Sequence, residues 1–156
     1  MSAPVPLFGR MWRDLRGVAA VEFAICAPLL LFTFGGVADM GLSLRYQERL
    51  AQAVANGGQY AFKVGPTVTA SSVQSMVQAS SGLSGVSAVV SGPSLGCASG
   101  SPATLVAGTA GHACADGTQP GTYITITATV TYTQILPHIS TFISPTLQQS
   151  EIVRLQ

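Results

Sequence analysis

Polar and apolar positions divide this chain sharply near its N-terminus. From Val18 to Ala38 there are 21 residues with a single charge, Glu22, and a helix needs about 20 apolar residues to cross the hydrocarbon of a bilayer. Ten strongly apolar side chains lie in the run: Val18, Val21, Phe23, Ile25, Leu29, Leu30, Leu31, Phe32, Phe34 and Val37. Each favours insertion by about 0.3–0.6 kcal/mol, against roughly 3 kcal/mol for one acid at mid-membrane and less near an interface. Insertion wins, so 18–38 is expected to be a transmembrane helix. Its one acid needs a reason to be there.

The helical pattern continues past the run. No proline interrupts GLSLRYQERLAQAVANGGQYAFKV before Pro66, and Leu50, Val54, Gly57 and Ala61 share one helical face. The triplet Asn56-Gly57-Gly58 is expected to end or bend the helix. Periodicity thus predicts one helix of roughly 40 residues, half in the membrane and half outside it. Pro28, inside it, removes one backbone hydrogen bond and predicts a kink. The small residues Gly35, Gly36, Ala51, Ala53 and Ala55 either admit a second helix at close range or serve only as helix formers and spacers.

A second, short helix is expected within Thr67–Ser81, with Ser71 or Ser72 as N-cap and Val73, Met76 and Val77 on one side. Val86–Ser91 is a candidate strand, and Gly92–Gly121, rich in glycine and proline, reads as loop. The clearest strand follows: Ile124, Ile126, Ala128, Val130 and Tyr132 alternate with Thr125, Thr127, Thr129, Thr131 and Thr133, a period-2 pattern in β-favouring residue types. One face is expected to be buried. The other, a threonine ladder, reads as a solvated face in preference to an ice- or sugar-binding one. Pro137 acts as a breaker, and the terminal TLQQSEIVRLQ is expected to pair back as a last strand. The fold class is α+β, a long N-terminal helix packed on a small antiparallel sheet.

Composition narrows the function. Charged residues make up 8% of the chain and the net charge is +1, which leaves no electrostatic footprint for nucleic acid. A polar but uncharged body, rich in Ser, Thr, Gly and Ala, suits an envelope or surface protein. Of three cysteines, Cys26 reads as a small apolar side chain of the run. Cys97 and Cys114 flank a loop with little else to order it, and a disulfide is the expected reading, which requires an oxidising compartment. The alternatives are two reduced cysteines, or a zinc site using His112 and Cys114, for which no second close pair exists. The head, MSAPVPLFGRMWRDLRG, carries Arg10, Arg13 and Arg16 against Asp14. Charge alone barely orients the span, because Arg45 and Arg49 follow it; the expected disulfide puts the body outside and the N-terminus in the cytoplasm. The resulting organisation is 1–17 basic leader, 18–38 transmembrane helix, 39–64 its outer continuation and 65–156 a small α+β domain.

Catalytic chemistry is missing. No phosphate-cradling glycine motif opens a helix, His112 and His138 lie by loops without a carboxylate pair, and Asp39, Asp116, Glu48 and Glu151 stand singly. No nucleophile–base–orienter set can be assembled, so no enzyme, cofactor, metal or small-molecule substrate is expected.

The start of the run has a more specific form. Gly17-Val18-Ala19-Ala20-Val21-Glu22-Phe23 resembles a type IV pilin-like processing site: a basic leader ending in glycine, then a helix with glutamate fifth and an aromatic sixth. Cleavage after Gly17 would free a cationic amine on Val18. Glu22 of one subunit can then pair with a neighbour's amine inside an apolar bundle, which permits burial of both charges and sets subunit register. More narrowly, RGVAAVEFAICAPLLLFTFGGVADMG with YQERLAQAVANGGQYA is similar to the TadE-like family, minor pseudopilins of tight-adherence (Tad/Flp) pilus systems. The likeness is strong over about residues 13–62 and looser in the cysteine-flanked loop, the Thr-rich strand and Leu136-Pro137. Phe23 stands where major Flp pilins more often have tyrosine, which favours the TadE side of the family.

The resemblance implies a single-pass inner-membrane protein with a periplasmic body. It also implies processing by a prepilin peptidase, and other pilins, pseudopilins and the pilus assembly platform as partners. Two rivals remain: a secreted protein cut by signal peptidase after Ala38 in Gly36-Val37-Ala38, and an anchored envelope module without a pilus role.

Overall fold

The computed structural model describes residues 15–100, 104–136 and 143–155; most of the basic head, Pro137 and His138 lie outside them. One helix, α1 (Leu15–Val64), runs 50 residues. A 3-10 turn (Gly65–Thr67) links it to α2 (Ala70–Ser81), followed by β1 (Ser87–Ser99), β2 (Thr104–Ala107), β3 (Gly121–Thr131) and β4 (Thr146–Arg154). The strands form one antiparallel sheet in the order β2-β1-β3-β4. This is the expected α+β arrangement of a long helix on a small sheet.

The core lies between the sheet and the second half of α1. The predicted face is realised: Leu50, Val54, Gly57 and Ala61 are buried, and Leu50, Val54 and Ala61, with Ala53 beside them, pack in one cluster with Val73 and Val77 of α2, Ala88 of β1, Ile124, Ile126, Ala128 and Val130 of β3, and Leu147 of β4. Tyr132, just past β3, stacks at a tilt on Tyr46 of α1, with ring centroids 5.6 Å apart. On the opposite face of β3, Thr127 and Thr131 share hydroxyl hydrogen bonds with Ser150 (3.0 Å) and Thr146 (3.2 Å) of β4.

Four local expectations are corrected. The helix does not end or bend to a stop at Asn56-Gly57-Gly58. A Cβ at Gly57 would lie 2.5 Å from Val77 Cγ2, so this glycine lets α2 approach the backbone of α1 and does not break it. The N-cap of α2 is Thr69, whose Oγ1 accepts the Ser72 amide at 3.3 Å, while Ser71 and Ser72 fall in the first turn. β1 does not stop at Ser91: the register with β3 shifts between Ser91 and Ser94, and the strand resumes. Gly92 sits in that bulge with φ 108°, and a Cβ there would meet Tyr123 O at 2.7 Å. Bulges are where a strand tolerates Gly and Pro. Finally, 92–121 is not all loop, since it holds the rest of β1 and the edge strand β2.

Candidate functional site

The first half of α1 stands bare. Glu22 is exposed, as are Val18 (51%), Phe23 (70%) and Leu31 (72%); Cys26 is an exposed free thiol. Nothing lies within 4 Å of a Cβ built on Gly17. Gly17, Val18, Glu22 and Phe23 are therefore brought together only by their order on one helix, and no other element covers them among the described residues. The helix is long and apolar enough to cross a membrane, with a mean hydropathy of 2.0 over its most apolar window. Pro28 stays inside it.

Where the bare half gives way to the packed half, the helix meets the β3–β4 connection, a contact the sequence did not reveal. Asp39 is fully buried. Its Oδ1 accepts the backbone N–H of Ile135 at 2.7 Å and its Oδ2 that of Leu136 at 2.9 Å. A turn of helix earlier, Leu136 lies against the backbone of Gly35, where a Cβ would come within 2.9 Å of Leu136 Cδ1. The carboxylate thus latches the β3–β4 connection onto α1, and Gly35 supplies the room. In sequence Asp39 looked like one acid among several, because its partners are main-chain amides 96 and 97 positions away. That same approach gives Gly35 a partner within its own chain, a loop rather than a second helix.

At the opposite end of the sheet, Cys97 and Cys114 form the expected disulfide, with Cα atoms 5.7 Å apart. Cys97 belongs to β1, opposite Val106 of β2, and Cys114 to the loop before β3. That loop is also held by a turn: the Thr118 hydroxyl (2.7 Å) and amide (3.0 Å) both donate to Asp116 Oδ1. These bonds, the hydroxyl's first, hold the Asp116 carboxyl below its ordinary range. A shallow cleft of about 560 Å³ opens beside the disulfide, between β2 and His112. Among the described residues no three His, Cys, Asp or Glu side chains gather in a way that could hold a metal ion. Glu151 faces α1 from β4: a Cβ on Gly58 would lie 3.2 Å from its Oε1. Partial burial pushes its carboxyl above the ordinary value.

The geometry concentrates interest on α1, and the family comparison falls there too. Residues 17–59 match the family model for TadE-like proteins. The chain carries a TadE-like region. The matched segment starts at Gly17, covers the bare half, and extends through the buried face of Leu50, Val54 and Gly57, in agreement with the resemblance read from the residues. No match is found among curated proteins or solved structures.

Proposed function

We propose that this protein is a membrane-anchored minor pseudopilin that takes part in assembling a Tad/Flp-type pilus. It is oriented with its N-terminus in the cytoplasm and its disulfide-bonded body in the periplasm. The observation that carries the reading is the coincidence of the TadE-like match with a bare apolar run, 18–38, whose one charge, Glu22, follows Gly17 by five places. An acid exposed on such a helix needs a partner once lipid or other helices surround it, since an unpaired charge there costs several kcal/mol. The amine freed on Val18 of a neighbouring subunit, after prepilin peptidase cuts behind Gly17, is a partner of the right charge at the right depth. The body is a scaffold without a catalytic role, and adhesion belongs to the pilus it helps to build.

The contact of Leu136 with Gly35 argues against the secreted alternative. Removal of everything before Asp39 would strip away a helix segment that the body packs against.

N-terminal sequencing of the membrane-bound protein tests the proposal, together with pilus counts in a deletion strain. We expect a mature start at Val18, a Gly17→Arg variant that keeps its leader, and loss of pili on deletion. A start at Asp39 would exclude the pseudopilin. Normal pili in the deletion strain would leave an anchored envelope protein with no pilus role.

A further inference from the structure

The exposed surface of α1 stays uncharged further than the sequence suggests. Between Glu22 and Arg45 the only charge is Asp39, and Asp39 is fully buried beneath the 132–136 connection, its oxygens taken by two amides. Seen from outside, the helix remains apolar through Val37 (71% exposed), Met40 (58%) and Leu44 (50%). A bilayer core of about 30 Å that begins at Val18 ends near Ala38. Leu136 touches the helix at Gly35, three residues or about 4.5 Å on the membrane side of that boundary.

The connection is suited to that depth. Residues 132–136 and 143–145 carry no charge, and Ile135 remains 55% exposed. Backbone at membrane depth must have its polar groups satisfied within the protein. The Ile135 and Leu136 amides meet that condition through Asp39, and the Tyr132 amide through Pro145 O at 3.0 Å. The Gln134 side chain bonds Ile143 O at 2.8 Å.

We propose that the Ile135–Leu136 turn is a second membrane contact, inserted in the bilayer interface beside α1, and that its partner is lipid. Asp39 is the positioning residue: it accepts the hydrogen bonds of the two amides that would otherwise keep the turn in water. The body then rests on the membrane at two points instead of swinging from one helix. This inference rests on α1 spanning the membrane as proposed above, and the controls below separate the two.

The test is tryptophan quenching by brominated lipid, using the full chain in phosphatidylcholine vesicles brominated near the top of their acyl chains. The background is Trp12→Phe, which removes the single native tryptophan. Ile135→Trp is compared with Leu30→Trp in the span and with Val89→Trp on the outer sheet face, 62% exposed in the native chain. We expect Ile135→Trp to be quenched at least half as strongly as Leu30→Trp and several-fold more than Val89→Trp. Adding Asp39→Ala should bring it down to the Val89→Trp level. Quenching of Ile135→Trp equal to that of Val89→Trp, with Leu30→Trp strongly quenched, overturns this proposal and leaves the span intact. Shielding of Ile135→Trp from both brominated lipid and aqueous acrylamide means that protein covers the turn, which overturns it as well. An unquenched Leu30→Trp removes the span and this proposal with it.

Discussion

The two halves of α1 have the same backbone and opposite surroundings. From Val18 to Ala38 almost every side chain is exposed, yet the sequence is the most apolar in the molecule. From Asp39 to Val64 charged and polar residues appear, and a stripe of Leu50, Ala53, Val54 and Ala61 is fully or nearly fully buried. Apolar content therefore does not measure packing here. The bare half is apolar with no cover among the described residues, and the packed half is amphipathic because water lies on one side and a sheet on the other. The difference marks where the molecule keeps its own fold and where it is open to others.

The most direct way to break this contrast is the same substitution on both halves. Leu50→Ala removes a fully buried side chain and is expected to destabilise the body by about 4 kcal/mol, through lost burial and a cavity that its neighbours fill only in part. Leu30→Ala, on a side chain that is 50% exposed, should leave body stability unchanged and lower only the tendency to insert. Chemical denaturation of the full chain in detergent, followed by near-ultraviolet circular dichroism of the packed Tyr46 and Tyr132, measures the first effect. Membrane partitioning measures the second. Equal losses of body stability would mean that the bare half packs on the body after all.

A smaller effect sharpens the contrast from the far end of the sheet. Replacing Cys97 and Cys114 together by serine opens a loop with a sequence separation of 17, and loops of that size contribute about 3 kcal/mol when closed. The denaturation midpoint of the body should fall while α1 stays in the membrane fraction and helical. A helix lost from the membrane would show that the bare half depends on the body for its placement.

What the sequence conveyed follows the same division. Strongly periodic features were legible: the apolar run, the face of Leu50, Val54 and Ala61, and the alternation of β3 from Ile124 to Val130. Each depends only on neighbours in the chain. Cys97–Cys114 was legible because cysteine has few other uses in such a loop. What could not be read depends on contacts between distant positions. Asn56-Gly57-Gly58 carries the local signature of a helix end, and only the nearness of Val77 turns Gly57 into a packing site. Gly92-Pro93 looks like the end of a strand until Tyr123 O is seen close above it in a bulge. Asp39 gave no signal, because its partners are backbone amides and any residue type supplies those.

The smallest effect separates the helix-facing side of the body from its distal loop by pH. Glu151 faces α1, and burial raises its carboxyl above the ordinary value of 4.5. The folded state therefore holds that proton more tightly than the unfolded chain, and Glu151 reduces stability as pH rises through the window above 4.5. Asp116 has the opposite sign: its exposed carboxyl is held below 3.8 by Thr118, so it favours the fold at higher pH and loses that contribution as pH falls below 3.8. Glu151→Gln should flatten the upper window and raise stability slightly at neutral pH. Asp116→Asn should flatten only the lower one. Denaturation midpoints collected from pH 3 to 7 resolve the two windows. An unchanged upper window in Glu151→Gln would mean that water reaches the carboxylate between β4 and Gly58, and that the packed face of α1 is less tightly closed there than its buried residues indicate.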